Sequence, residues 1–442
     1  MPRLLLGPQH PRGLSFIVGN EAAERFSYYG MKSILVVFMT TALCNSYGHP
    51  EVMTERDAIF WFHIFTMGNY FLPLVGALLA DVVWGKYKTI IILSIVYCFG
   101  HLALAVDDTR LGLVMGLGLI ALGSGGIKPC VSAHLGDQYT SSGSQNMSQG
   151  FSLFYLAINL GAFVATVLTP YLFTAYGPQI AFAVPGICMA FATLIFWLGR
   201  TRYVTLPPTP LCVYISEALH ASQRSQLVRL AWLCALVSFF WALFDQTGSS
   251  WVFQAERMNR QISLPLVGQV KLLAPQLQAL NPILILAFTP ICLWGVYPYL
   301  ARRGLLTTQT KLVAGMVLAS ASFLVVAITQ QLLNSGARVS VVWQICAYVL
   351  LTAAEVLVSV TTLEMTYAFG PRVSKSFTTS FYLLSVAAGN LFTALSTRYL
   401  PHLIGDSSST SYFLFFAALP LVLALPSAQT ARALESAPHA TP

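Results

Sequence analysis

Residues 76–88 read GALLADVVWGKYK, and residues 295–311 read GVYPYLARRGLLTTQTK. Each string is a short polar break after a long apolar run, and the second repeats the small residue, basic pair and glycine of the first in degraded form. A break that recurs once in each half of a chain marks a protein built from two related halves, and in membrane carriers the substrate site lies between such halves. Working outward from these strings, a 19-residue reading predicts twelve spans, near residues 16–44, 56–82, 88–106, 111–134, 148–172, 180–199, 226–255, 280–300, 310–331, 340–369, 376–400 and 409–427. The stretch 200–225 between the sixth and seventh spans carries Pro207, Pro208 and Pro210 before a weakly amphipathic run, Leu211, Ile215 and Leu219. The expected organisation is a six-helix bundle over 1–199, a cytoplasmic linker over 200–225 and a second six-helix bundle over 226–442. The fold class is an all-α integral membrane protein of twelve transmembrane helices in two pseudo-symmetric halves.

Composition agrees with that pattern. Of 442 residues, 56% are apolar and 9% charged, with a mean hydropathy of +0.68, against about 25% charged in a soluble domain. A soluble enzyme is excluded. The net charge of +8 is read as an orienting excess and not as a nucleic-acid surface. With an even number of spans both termini share a side. If that side is the cytoplasm, the inner segments hold fourteen Lys and Arg and the outer ones seven, which favours a multi-pass protein of the plasma (cell inner) membrane with cytoplasmic termini. The opening MPRLLLGPQHPRG is too short in apolar residues for a cleavable signal, so the first span is expected to insert the chain. The eight cysteines show no CxxC spacing and read as small apolar residues. No GxSxG, HExxH or Walker string is present. The reading is therefore no enzyme, no cofactor and no metal.

Charged residues inside spans cost at least about 2.5–3.5 kcal/mol each on insertion scales, so they point to function or to buried pairs. Arg25, Lys32 and Lys128 face Glu21, Glu24, Asp245 and Glu355 in this class. Glu21, Arg25, Tyr28 and Lys32 are four, three and four residues apart, which places them on one stripe of the first span. Glu24 competes with Glu21 for the single guanidinium of Arg25. His63 and Tyr70 lie two turns apart on the second span, where a histidine suits proton entry. Lys128 sits beside Pro129 and behind Gly123, Gly125 and Gly126, which permit close helix approach; it is expected to meet a carboxylate or a bound anion. Tyr155 with Asn159, and Trp241 with Asp245, share faces at i, i+4, and Asn281 precedes Pro282 at the start of the eighth span. Glu364, nine residues after Glu355, falls half a turn out of phase with it and is read as a cytoplasmic-side contact.

Taken together these residues resemble the proton-coupled oligopeptide transporter family, over nearly the whole chain. The strings are NEAAERFSYYGMK (20–32), GGIKPCVSA (125–133), FYLAINLG (154–161), FWALFDQTGS (240–249), LQALNPILI (277–285) and AEVLVSVTTLE (354–364). Gly76, Asp81, Gly85, Lys86 and Lys88 match the loop signature of the major facilitator superfamily. His63, within WFHIFTMGNYFLPLVGALLAD, is similar to the mammalian-type di- and tripeptide carriers and to the bacterial ones that share this histidine. The resemblance implies that Glu355, helped by Asn159 and Asn281, holds the peptide amino group, and that Arg25, Lys32 and Lys128 handle the carboxylate and nearby acids. It further implies that Tyr28, Tyr29, Tyr70 and Trp241 line side-chain pockets, with Tyr382 nearby, and that Glu21, Glu24, Arg25, His63 and Asp245 carry proton coupling.

Departures from the family pattern accompany the match. Lys32 stands where arginine is usual, replacing a bidentate fork by a point charge, and Tyr382 stands where tryptophan is usual. Leu293 replaces the aspartate expected opposite Arg229, so that gate bridge should be missing. The linker is too short for the two extra helices of bacterial members. The implied function is a proton-coupled symporter importing di- and tripeptides by alternating access, acting as a monomer in the bilayer, with small peptides and protons as partners. Its rivals are a same-fold carrier of nitrate or histidine, a non-transporting peptide sensor and a membrane transferase.

Overall fold

A computed structural model describes residues 10–140, 146–211, 224–264, 268–369 and 375–436. Twelve long helical rods run through the described residues: α1 (Leu14–Thr41), α2 (Glu55–Val83), α3 (Lys86–Val106), α4 (Arg110–Thr140), α5 (Met147–Tyr176), α6 (Pro178–Leu198), α7 (Ser225–Glu256), α8 (Ala274–Arg302), α9 (Thr308–Asn334), α10 (Val342–Phe369), α11 (Lys375–Tyr399) and α12 (Thr410–Glu435). They answer to the twelve spans read from the sequence, most bounds shifting by a few residues. A small antiparallel hairpin, β1 (Gln261–Leu264) and β2 (Gly268–Lys271), joins α7 to α8 with Gln261 opposite Lys271, and no periodicity had marked it. Of the linker's amphipathic run, Ile215 and Leu219 lie outside the described residues.

Ten of the rods are long and apolar enough to cross a membrane by composition alone, and α1 and α11 are the two that are not. The reason is chemical. α1 carries Glu21, Glu24, Arg25 and Lys32, and α11 buries Ser380, Ser385, Asn390, Thr393, Ser396 and Thr397. A rod with that many polar groups is stable in lipid only when protein covers them. Both therefore lie inward.

Packing sorts the rods into two groups. α1 lies on α5 and α6, and α3 on α4 and α6; α9 lies on α10 and α12, and α7 on α11 and α12. The broadest contact between the groups is α2 on α11, with a further one where α5 meets the start of α8. Small residues set the spacing. A Cβ on Gly76 would stand 2.1 Å from the carbonyl oxygen of Gly126, and one on Gly161 would stand 2.4 Å from that of Ala22. Gly76→Ala should therefore push α2 off α4 at a cost of about 1–3 kcal/mol, read as a lower melting temperature of the detergent-solubilised protein; an unchanged value would mean that the two helices are not in backbone contact.

Several rods are interrupted. α2 restarts at Pro73 and ends in a wide turn over Leu79–Val83, and α8 widens over Cys292–Val296. α7 tightens to a 3₁₀ turn over Asp245–Gly248 before resuming at Ser250. Irregular backbone at membrane depth survives only where protein or a cavity takes up the freed polar groups. The α7 break marks a site.

Candidate functional site

The break in α7 presents Asp245 to α1 and α11. Lys32 Nζ lies 2.7 Å from Asp245 Oδ1, and Asn390 Nδ2 donates to Asp245 Oδ2 at 2.7 Å. Because Asn390 Nδ2 also donates to the Val386 carbonyl oxygen, its Oδ1 is turned to His63 Nδ1, 2.7 Å away. An amide oxygen only accepts, so His63 holds a proton on Nδ1, and Nε2 faces Ser249 Oγ at 2.9 Å. Lys32, Asp245, Asn390, His63 and Ser249 thus form one continuous hydrogen-bonded chain. All five are buried. The chain crosses three times between the two groups of rods, since Lys32 and His63 belong to the first and the other three to the second.

A second cluster lies lower on α1. Arg25 Nε reaches Glu21 Oε1 at 2.6 Å and Glu24 Oε2 at 3.1 Å, and Ser124 Oγ on α4 donates to Glu24 Oε1 at 3.3 Å. One guanidinium serves both carboxylates, as their spacing predicts. Both carboxylates are 1% exposed, whereas the Arg25 side chain keeps 12%, leaving donors free for a further anion.

Lys128, expected to meet a carboxylate or an anion, lies against aromatic rings. Its ammonium makes no hydrogen bond or ion pair among the described residues; instead it lies 4.4 Å from the ring centre of Tyr28 and 4.1 Å from that of Tyr70. Two aromatic faces stabilise a cation without neutralising it. Tyr28 is fully buried, its hydroxyl accepting from Asn69 Nδ2 at 2.8 Å, and Tyr29 packs edge-on against it, ring centres 5.3 Å apart.

Across the bundle, α10 carries the opposite charge. Asn281 Nδ2 donates to Glu355 Oε2 at 2.6 Å and reaches Thr352 Oγ1 at 3.3 Å. One turn on, Ser359 Oγ and the Tyr382 hydroxyl are 2.7 Å apart, and the Tyr382 ring meets Trp241 edge-on at 5.8 Å. Asn159 stands on α5 with its amide turned back to the Tyr155 carbonyl oxygen at 2.9 Å. Tyr29, Tyr70, Lys128, Asn281, Glu355 and Tyr382 are all half-buried. Basic groups of α1 and α4 and the acid of α10 thus sit in opposite groups of rods.

Asn390, Ser249, Ser124, Thr352 and Ser359 were not singled out in the sequence. Asn390 had a signal: it is an amide in the middle of a predicted span. The hydroxyls had none, because serine and threonine are ordinary in membrane helices. Glu364 pairs with Lys311 at 3.1 Å, away from the Glu355 face, as its phase requires. Arg229 donates to the Ala433 carbonyl oxygen at 2.8 Å while Leu293 is 54% exposed, so the substitution opposite Arg229 leaves it a backbone partner.

Ion pairs between the groups cluster at the end of the bundle away from residues 10–13 and 200–211. Apart from Lys32–Asp245 in the interior, three consecutive residues opening α2 supply them. Glu55 binds Arg257 at 2.7 Å, Arg56 lies 4.0 Å from Asp406, and Asp57 pairs with Arg398. At the opposite end the pairs stay within a group, Lys86 with Asp137 at 2.7 Å and Lys311 with Glu364. Among the described residues no ion pair joins the groups there.

A family model described as the POT family matches residues 87–213 and 210–402. The chain belongs to the POT family. This member is 39% identical over 360 residues to peptide transporter family 1 of Drosophila melanogaster, covering 71% of this chain and 47% of that one. It is 34% identical over 383 residues to solute carrier family 15 member 2 of Homo sapiens, covering 75% and 51%. The chain spans about half the length of the curated relatives it matches. A crystal structure of an auto-inhibited POT family peptide transporter superposes with a TM-score of 0.86 at 33% identity, covering 98% of this chain and 99% of that one. The POT family member is thus a twelve-helix membrane protein of the major facilitator fold.

Proposed function

We propose that the protein is a proton-coupled symporter that imports di- and tripeptides by alternating access. The observation that carries this reading is that Glu355, on α10 beside Asn281, belongs to one group of rods and Arg25 and Lys128, on α1 and α4, to the other. A short peptide is a zwitterion, and a cleft with an acid on one wall and bases on the other holds both ends of it. Its closure draws the walls together. Lys128, held on tyrosine faces with no ion pair among the described residues, is poised to take the carboxylate, while Asn281 and Asn159 offer amide partners for the peptide backbone. The relatives named as peptide transporters support the same reading.

Proton coupling is assigned to Glu21, Glu24, Arg25, His63 and Asp245. A proton arriving on Asp245 removes the charge that binds Lys32 and loosens the chain linking the two groups. The halves are 1–199 and 226–442 joined by a cytoplasmic linker over 200–225, with both termini cytoplasmic in the plasma membrane and a monomer as the working unit. In that orientation the ion pairs of Glu55, Arg56 and Asp57 shut the outer end. A nitrate carrier needs no acid for an amine, so Glu355 weighs against it.

Purified protein in proteoliposomes should accumulate a labelled dipeptide under an imposed inward proton gradient and collapse that accumulation with a protonophore. Uptake that ignores the gradient, or none at all in correctly folded protein, would replace symport by facilitation or sensing. Asp57→Arg should slow accumulation about fivefold or more by repelling Arg398 at the outer rim, and adding Arg398→Asp should restore most of it. If the double variant is as slow as the single, the pair is no part of outer closure.

A further inference from the structure

The loop between α2 and α3, the end of α4 and the chain following α6 enclose a cavity of about 340 Å³ at the end of the bundle that carries residues 200–211. Trp84, Lys86, Lys88, His134 and the 205–208 segment line it, and among the described residues no carboxylate does. The walls are fastened. Gln138 holds Val204 from both sides, donating to its carbonyl oxygen at 3.0 Å and accepting from its N–H at 2.9 Å, and Thr209 N–H donates to the Asp81 carbonyl oxygen at 2.7 Å.

Four features of this cavity favour a negative occupant. α3 starts here after Gly85, whose φ of +79° turns the chain, with no side-chain cap and no acid in its first turn, so its first amides are open to an anion. Lys86 is already neutralised by Asp137 at 2.7 Å, whereas Lys88 is exposed and makes no ion pair among the described residues. His134 is 1% exposed, and its Nε2 has no hydrogen-bond partner among the described residues. A buried nitrogen left without a partner costs free energy unless a ligand supplies one. The fourth feature is depth. Val83, the last residue of α2, is 53% exposed and Trp84, which follows it, 37%, at the end of a membrane span, the headgroup level at which tryptophan collects.

We propose that this cavity binds the phosphate of an anionic phospholipid headgroup, with Lys88, the first amides of α3 and His134 as its ligands and Trp84 packed at the glycerol level. The occupant would pin residues 204–209, the start of the chain between the two groups of rods, to the first group. The test is native mass spectrometry of the full chain, delipidated in detergent and then offered palmitoyl-oleoyl phosphatidylglycerol together with the matching phosphatidylcholine. Wild-type protein should retain phosphatidylglycerol selectively, and Lys88→Gln should lower that occupancy about fivefold without changing phosphatidylcholine adducts. His134→Phe should lower it too, while Lys271→Gln, at the far end of the bundle, should leave it unchanged. Equal phosphatidylglycerol occupancy in wild type, Lys88→Gln and His134→Phe overturns the site. Displacement of the lipid by inorganic phosphate alone would overturn the lipid as occupant and assign the same ligands to a soluble phosphate. Because the readout is binding, its failure leaves the peptide-transport reading to stand or fall on uptake.

Discussion

Glu355→Gln is expected to abolish gradient-driven accumulation of dipeptides with a free amino group while leaving the protein folded. Glutamine keeps the shape and still accepts from Asn281 Nδ2, which lies 2.6 Å from the native carboxylate, so the contact between α8 and α10 survives. What disappears is the charge proposed to receive the peptide ammonium group. Leaving the partner of a buried hydrogen-bonded charge pair unpaired costs about 2–5 kcal/mol, a loss of about 30-fold or more in uptake efficiency. N-acetylated dipeptides lack that ammonium and should lose far less. The measurement is initial uptake of free-amine and N-acetylated versions of one dipeptide in proteoliposomes, with the melting temperature of each variant as the folding control. Near wild-type uptake of the free-amine peptide would remove Glu355 from substrate binding.

The second large effect concerns coupling. Asp245→Asn leaves Lys32 buried without its 2.7 Å partner, and unpairing a buried charge costs about 3–5 kcal/mol. The side chain that loses this stability is the one joining α1 to α7, so the conformation with a closed far end should lose population by about two orders of magnitude or more. His63→Ala cuts the same chain at Asn390 and Ser249. In at least one of the two variants, counterflow of labelled peptide across equal proton concentrations should survive while accumulation against a gradient is lost. A potential of about 100 mV contributes about 2.3 kcal/mol per charge, and a carrier that no longer links proton release to reorientation cannot use it. Both activities intact in both variants would leave coupling to Glu21 and Glu24.

Lys128→Ala should also impair concentrative uptake strongly, for a reason the sequence alone did not supply. The expected partner was a carboxylate or anion, and the ammonium lies on the rings of Tyr28 and Tyr70. Removing it leaves a void between two aromatic rings and deletes an interior cation of α4 that makes no ion pair among the described residues. Peptide binding and gradient-driven uptake compared in the same purified variant test this; normal accumulation would make Lys128 a packing residue.

The number of rods, their bounds and the two-group arrangement were legible in the amino-acid sequence because the bilayer imposes a one-dimensional rule. A span needs about 20 apolar residues whatever it packs against. The stripe Glu21, Arg25, Tyr28 and Lys32 was legible for the same kind of reason, since helical spacing alone puts those side chains on one face and Arg25 within reach of two carboxylates. Even the separation of Glu364 from Glu355 followed from phase. What tertiary structure decided was every partner drawn from another rod. Which base Asp245 binds, that Asn390 lies between it and His63, that Glu55, Arg56 and Asp57 each find an opposite charge in the second group, and that Lys128 lies on rings are outcomes of how rods dock. Periodicity says which face a residue occupies and nothing about what stands opposite it. That depends on helix spacing, set here by glycine contacts a few ångströms wide, and on breaks such as Asp245–Gly248 that re-aim a side chain only after the core has closed around them.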